Sequence, residues 1–318
     1  MPRRRLGRET APTDTAGPQA GAAQDSLPDS ESSSARALPA GLYLLATPIG
    51  AARDITLRAL DILAQADVLA AEDTRSLRRL MDLHGIALRG RLLLAYHDHN
   101  GPRARPRLMA ALAEGQSVAY ASEAGTPMVA DPGYRLVGDA AAAGHRVTAA
   151  PGASAALAAL CVAGLPSDRF CFLGFPPSQK SARRRFAAEI ATIPATLILY
   201  ESPRRVRESL ADLADTLGEE RQGALCRELT KRHEEVIRGS LGQLRDQVAE
   251  RELRGEIVLV LQRGTLPADD PEEIDRALVD GMKTMSLREA ADHVARTRAL
   301  PRREVYQRAL TLRDRDAE

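Results

Sequence analysis

The chain has 318 residues, more than one core ordinarily sustains and enough for two medium domains with a small appendage. Its 44 basic and 43 acidic residues leave a net charge of +1, which excludes a global field that gathers nucleic acid, so a polyanion would have to be met by local patches. With 44% hydrophobic residues, only 3% aromatic and no tryptophan, the interior must be built from Ala, Leu and Val, which favours helices packed on sheet.

Residues 1–38 are rich in Ser, Pro, Ala, Asp and Gly and carry almost no large apolar side chains, so they read as a disordered tail. Their basic start, MPRRR, is followed by no apolar signal region, and no stretch of the chain offers about 18 uninterrupted apolar residues; a soluble, cytosolic protein is expected. From Gly41 short β-like runs alternate with helical ones: LYLLA, DVLAA, LLLAY, SVAYAS and RVTAA each precede a helical stretch. That alternation predicts an N-terminal α/β domain over residues 39–165, a mostly parallel sheet with helices on both faces. After Leu165-Pro166 the rhythm restarts with RFCFLGF, ATLILYE, GALCREL, EEVIRG and EIVLVLQ. Consecutive strands with short connections predict a mixed α/β domain over 166–264, in which Val206, Leu210, Leu213 and Leu217 mark one apolar helix face. The Pro/Asp-rich joint TLPADDPEE leads to a helical segment over 270–318, where Ser286 and Glu289 form a capping box and Leu287, Ala290, Ala291 and Val294 share a face. That segment reads either as a small helix-turn-helix or as a helical cap on the second domain. Cys161, Cys171 and Cys226 lie far apart in apolar runs, not in the close pairs of zinc or redox motifs, and read as core residues.

Ligands of open α/β sheets bind where the strands end. The five loops leaving the first five strands are Thr47-Pro48-Ile49-Gly50, Glu72-Asp73-Thr74-Arg75, His97-Asp98-His99-Asn100, Glu123-Ala124-Gly125-Thr126-Pro127 and Pro151-Gly152-Ala153-Ser154-Ala155. Their glycines and prolines allow close backbone approach to a ligand, and none matches GxGxxG or a Walker loop, which argues against NAD, FAD and ATP. On the helix after the second strand, Leu77, Leu80, Met81 and His84 share one face while Arg75, Arg78 and Arg79 share the other with Asp82, either a phosphate-binding face or a solvated one. Lys180 with Arg183, Arg184 and Arg185, and Arg204 with Arg205 and Arg207, form two further basic clusters. All but three of the basic residues are arginine, which a GC-rich genome explains as readily as phosphate recognition, so only the clusters carry weight. His97 and His99 alternate in an extended segment, but no carboxylate or cysteine cluster completes a metal motif, and no metal is expected.

Several stretches together resemble one family closely: LYLLATPIGAARDITLRALDILAQADVLAAEDTRSLRRL, YHDHN, SEAGTPMVADPGYRLV, PGASAALAAL, AGLPSDRFCFLGFPP, YESPRR, CRELTKRHEEVIRG and RGEIVLVL. From about Gly41 to Leu261 they are similar, in order and spacing, to the ribosomal RNA small subunit methyltransferase I family, cytidine 2′-O-ribose methyltransferases of the tetrapyrrole methylase superfamily. The chain departs from the family's usual residues at Ala51 (Asn), Glu123 (Asp), Ala153 (Pro) and Arg204 (His). The resemblance implies a two-domain tetrapyrrole-methylase-like fold, an appended helix-turn-helix, a homodimer, and S-adenosyl-L-methionine in the cleft between domains. It places the donor against Pro48, Gly125, Thr126, Pro127, Val129, Ser154, Ala155 and Tyr200. The RNA-facing candidates are Arg75, Arg78, Arg79, His97, Asn100 and Arg204. A weakly acidic 2′-hydroxyl calls for a base or a stabilising cation; Lys231 and Asp73 are favoured, ahead of Glu72 and Glu228. Two rival readings are a methylase of small tetrapyrroles and a non-catalytic RNA-binding assembly factor.

Overall fold

The computed structural model describes residues 38–97, 100–129, 133–264, 271–298 and 300–316. Of the tail assigned to 1–38, all but Leu38 lies outside these residues, as do His99 of the alternating pair and most of the Pro/Asp-rich joint.

Five strands, β1 (Gly41–Leu45), β2 (Val68–Ala71), β3 (Leu92–Ala95), β4 (Ser117–Ala121) and β5 (Val147–Ala150), form a wholly parallel sheet in the order β3-β2-β4-β1-β5. The intervening helices are α1 (Leu57–Gln65), α2 (Thr74–Leu83), α3 (Gly101–Ala113) and α4 (Tyr134–Ala142). Buried Ile62, Leu63, Leu77 and Met81 from α1 and α2 cover one face, and Leu108, Leu112, Leu136 and Ala140 from α3 and α4 cover the other. With both faces covered, β2 and β4 are buried throughout, as continuous apolar runs of parallel strands should be.

Helix α5 (Ala155–Ala163) leaves the first sheet but packs on the second, its Ala156, Ala159, Leu160 and Ala163 against Ile198, Ala224, Cys226, Val258 and Val260. That second sheet contains β6 (Phe170–Phe172), β7 (Thr196–Glu201), β8 (Gln222–Arg227), β9 (Glu235–Ser240) and β10 (Ile257–Leu261), ordered β6-β7-β10-β8-β9. β6 and β7 are parallel and every other pair is antiparallel, the mixed sheet expected from the short connections. Helices α6 (Lys180–Ile190), α7 (Val206–Leu217) and α8 (Leu241–Val248) cover its other face. The C-terminal helices α9 (Pro271–Met282), α10 (Leu287–Thr297) and α11 (Arg302–Asp316) share a small core of Leu278, Ala291, Val294, Val305 and Ala309. α10 opens on the expected capping box: Ser286 Oγ accepts from the Glu289 N–H, and the Glu289 carboxylate accepts from the Ser286 N–H at 3.0 Å.

Two sequence expectations are corrected. Cys161 is exposed on α5, not part of the core; Cys226 is the buried cysteine, its thiol pushed up to about 11 by burial. Arg183 belongs to no surface cluster, since it is 1% exposed and held by Asp212. Its guanidinium meets that carboxylate at 2.7 Å and Glu208 at 3.3 Å, and donates to the Ser178 carbonyl. Arg184 pairs with Asp215 at 3.0 Å. The Arg183–Asp212 pair locks α6 to α7. Removing one partner leaves an uncompensated buried charge, so Arg183→Ala should lower stability by about 3–5 kcal/mol in urea denaturation. An exposed pair would cost under about 1 kcal/mol, and a loss that small would place Arg183 in solvent.

Candidate functional site

Three loops of the first sheet are laced together where its strands end. Thr47 and Gly125 exchange backbone hydrogen bonds at 3.0 Å in both directions, joining the loop after β1 to the loop after β4. Thr47 Oγ1 donates to the Ser122 carbonyl, Ser122 Oγ donates to the Gly125 carbonyl, and Thr126 Oγ1 reaches the Ala153 carbonyl of the loop after β5 at 2.9 Å. Gly125 has φ 82°, the left-handed backbone that favours glycine, and a Cβ there would crowd Ile49 Cγ2 at 3.3 Å. Ser154 caps α5 at the same edge, its side chain accepting from the Leu157 N–H.

These loops form one wall of a cleft of about 490 Å³, and the second sheet forms the other. The first wall contributes Ile49, Glu72, Glu123, Gly125, Thr126 and Val129, with Ser154 and Ala155 at the head of α5. Tyr200, Glu201 and Ser202 from the end of β7, Phe175, and Gly255 to Val258 at the start of β10 face them. Tyr200 stands edge-on between Phe172 and Phe175, with ring centroids 4.8 and 5.6 Å away, and burial raises its phenol above the ordinary value. The Glu201 carboxylate is fully engaged by the Ser202 N–H, Ser209 Oγ and Arg205, so it shapes the wall. Glu72, Glu123 and Glu256 also line the cleft, and among the described residues no Lys, Arg or His does.

Of the eight residues expected around the donor, six line this cleft: Gly125, Thr126, Val129, Ser154, Ala155 and Tyr200. Pro48 and Pro127 lie in its loops but not on its surface. The residues not foreseen, Ile49, Phe175, Glu201 and the Gly255 to Val258 run, come mostly from the second wall. Their signal was available in the RGEIVLVL stretch, but nothing local says that the residues entering an antiparallel strand face the end of a parallel sheet.

The expected catalytic residues separate. Asp73 is the N-cap of α2; its carboxylate accepts from the Arg75 N–H at 2.8 Å and pairs with the Arg75 guanidinium at 3.2 Å, which together hold it below the usual carboxylate range. Its neighbour Glu72 is the one on the cleft. Glu228 and Lys231 occupy the turn between β8 and β9. Glu228 Oε1 accepts from Lys231 Nζ at 2.9 Å and from the Glu256 N–H at 3.0 Å, and Lys231 Nζ also meets Glu256 at 3.1 Å. Burial alone would raise the Glu228 carboxyl, but the Glu256 N–H and the Lys231 ammonium outweigh it and hold it low; likewise burial of Lys231 is outweighed by its two carboxylates, which hold it high and protonated.

Among the RNA candidates, Arg78 and Arg79 are exposed on α2, and Arg75 is exposed beyond its contact with Asp73. The Asn100 amide is consumed locally, accepting from the His97 N–H at 2.8 Å and donating to the Ala95 carbonyl at 2.9 Å, so it shapes the loop. His97 lines a separate small pocket with Tyr96, Arg105 and Tyr134. Arg204 is exposed beside the cleft mouth.

Residues 41–245 match the family model described as Tetrapyrrole (Corrin/Porphyrin) Methylases, and residues 268–313 match the RsmI C-terminal HTH domain. A Mesorhizobium japonicum protein named ribosomal RNA small subunit methyltransferase I is 48% identical over 89% of this chain and 96% of its own length. An Escherichia coli protein of the same name is 43% identical over 85% of this chain and 94% of its own. Among solved structures, a cobalt precorrin-4 methyltransferase covers 70% of this chain and 94% of its own, with TM-score 0.53 and 17% identity, a likeness of fold.

A carboxyl held below its ordinary value contributes stability that is complete above that value, about 4.3 for glutamate, and is lost as pH falls through the folded value. The turn that ties the cleft's walls together, and ligand affinity with it, should therefore weaken in acid as Glu228 protonates below the ordinary glutamate range. Glu228→Gln should weaken binding about tenfold at neutral pH, as one charge-assisted bond goes, and remove that acid limb. Calorimetry across pH checks both; an unaltered acid limb in the variant would assign the loss to another group.

Proposed function

The chain belongs to the tetrapyrrole methylases and, within them, to the ribosomal RNA small subunit methyltransferase I family, and from that premise we propose that it methylates the ribose 2′-oxygen of a cytidine in small-subunit ribosomal RNA. It is an S-adenosylmethionine-dependent ribosomal RNA methyltransferase. The observation that carries the reading is the charge of the cleft, where the carboxylates of Glu72 and Glu123, with Glu256 paired to Lys231 at 3.1 Å, stand among apolar and aromatic walls, and no Lys, Arg or His lines it among the described residues. Such a lining suits a cationic sulfonium with an adenosine, and it disfavours both phosphate-bearing cofactors and a polycarboxylate tetrapyrrole.

S-adenosylmethionine supplies an activated methyl group. Ile49, Val129, Ile257 and Val258 offer apolar walls to an adenine ring, while the Gly125-Thr126 turn, Ser154 and Ser202 offer polar contacts. Tyr200 and Phe175 restrict access of water. The task left to the chain is to hold the ribose oxygen in line at about 3–3.5 Å and to accept its proton. Glu72 is our candidate acceptor: it lines the cleft, whereas Asp73 is committed to α2 and Lys231 is already protonated. Lys231 and Glu228 then act as positioning residues. Arg78 and Arg79, with Arg75, present a basic helix face outside the cleft for RNA phosphates.

A homodimer, which the family resemblance implies, is part of the same proposal; Leu57, 81% exposed, and Leu157, 49% exposed, are apolar side chains that a second copy could cover. Among the described residues no helix is long and apolar enough to cross a membrane, and a cytoplasmic location suits the substrate.

Purified protein should bind S-adenosylmethionine and not NADH, and ribose-methylation mapping of ribosomal RNA should lose one small-subunit signal when the gene is removed. Donor binding without any such signal would return the chain to a non-catalytic assembly role. Glu72→Gln should lower kcat by about 10²–10⁴, far more than it weakens donor binding, since Glu123 still faces the cleft; a variant turning over at the normal rate removes Glu72 from the chemistry.

A further inference from the structure

The cleft ends at Pro203, just past β7, and Gly255, just before β10, and both residues also belong to a second groove of about 420 Å³. Its other walls are Arg204, Arg207, Glu252, Leu253 and Arg254. The sheet explains why these distant segments meet. β7 and β10 are antiparallel with Glu201 opposite Ile257, so the residues leaving β7 and those entering β10 arrive at the same edge.

Three guanidiniums there face one carboxylate. Arg204 is exposed and makes no side-chain hydrogen bond or ion pair among the described residues. Arg254 pairs with Glu252 at 3.0 Å, but the two side chains are 80% and 79% exposed, and such a pair contributes about 0–1 kcal/mol and yields readily to a stronger anion. Arg207 donates to the Arg251 carbonyl and keeps the rest of its fork. Beneath them, Arg251 and Arg227 are held by Glu235 at 2.8 and 3.1 Å, and Arg227 also donates to the Arg254 carbonyl, fixing the loop that carries the groove.

We propose that this groove is a phosphodiester subsite, taking the RNA backbone phosphate that adjoins the ribose entering the cleft. The inference rests on the methyltransferase reading above. Carboxylates line the cleft, so the phosphates flanking the target ribose must lie outside it, and the mouth at Pro203 and Gly255 leads directly to three arginine forks of the geometry that binds phosphate oxygens in pairs.

Arg204→Ala, Arg207→Ala and Arg254→Ala, made in the full chain, should each weaken binding of a small-subunit ribosomal RNA fragment about threefold to tenfold. Each should also flatten the log–log salt dependence by about 0.7–0.9, the share of one neutralised phosphate, with S-adenosylmethionine affinity unchanged by calorimetry. Glu252→Gln should act in the opposite direction and tighten RNA binding, a gain that misfolding cannot imitate. RNA affinity and salt slope left intact in all three arginine variants would overturn the proposal. So would a fall in donor affinity in place of RNA affinity, which would assign the groove to the donor's own carboxylate. If the unmodified protein binds no donor or leaves ribosomal RNA unmethylated while RNA binding still follows the arginines, the methyltransferase reading fails and the groove stands.

Discussion

The Glu228 carboxylate accepts from the start of β10 and from Lys231 at once, and two residues later Thr230 Oγ1 accepts from the Ala51 N–H at 3.1 Å. Ala51 follows the first strand of the parallel sheet and Glu256 precedes the last strand of the mixed one, so a single turn touches both walls of the cleft. Holding that turn is costly, because Glu228 and Thr230 both have positive φ, 52° and 64°, at about 1–3 kcal/mol each. The offset comes from hydrogen bonds to charged groups, about 1.5–3 kcal/mol apiece, including the Thr230 N–H to Glu234 at 2.6 Å. Gly255, at φ 88°, completes the arrangement: a Cβ there would lie 2.2 Å from Glu228 Oε1. The donor cleft and the phosphate groove share Gly255, so both depend on this turn.

A net charge near zero conceals a sharp local division. Carboxylates face into the cleft, while the arginines around it either stand outside or are consumed in structure, as Arg183 is by Asp212 and Arg205 by Glu201. An internal pair at low exposure is worth keeping only with both partners present, which is why these arginines cannot double as RNA contacts. On the proposed reading, a cationic donor and a polyanionic substrate are met by opposite surfaces a few residues apart.

The central strands were legible because they wrote their burial into composition: runs such as VLAA and IVLVL are apolar throughout, as strands covered on both faces must be. Helices α6 and α8 were not, since their charged residues break any simple apolar pattern; α6 buries an arginine whose partner lies 29 residues away. The same limit applies within the site. Glu72 and Asp73 are adjacent and chemically alike, and only the start of α2 decides that Asp73 caps and Glu72 faces the cleft. The loops of the first wall each carried a turn signal, whereas the second wall is built from strand ends brought together by antiparallel register, which no local pattern encodes.

The division of charge also constrains the form of the RNA that can react. A ribose reaches a cleft lined by carboxylates only if its flanking phosphates turn away from Glu72, Glu123 and Glu256. In an A-form helix the 2′-hydroxyls line a wide, shallow minor groove with backbone on either side, so a target ribose cannot enter this cleft without carrying phosphates in with it. A splayed single strand has no such restriction: its sugar can point inward while the adjoining phosphates point back toward the arginine groove and the α2 face. On the proposed reading, an unpaired strand therefore suits the sign of the charges at the cleft better than an A-form helix does.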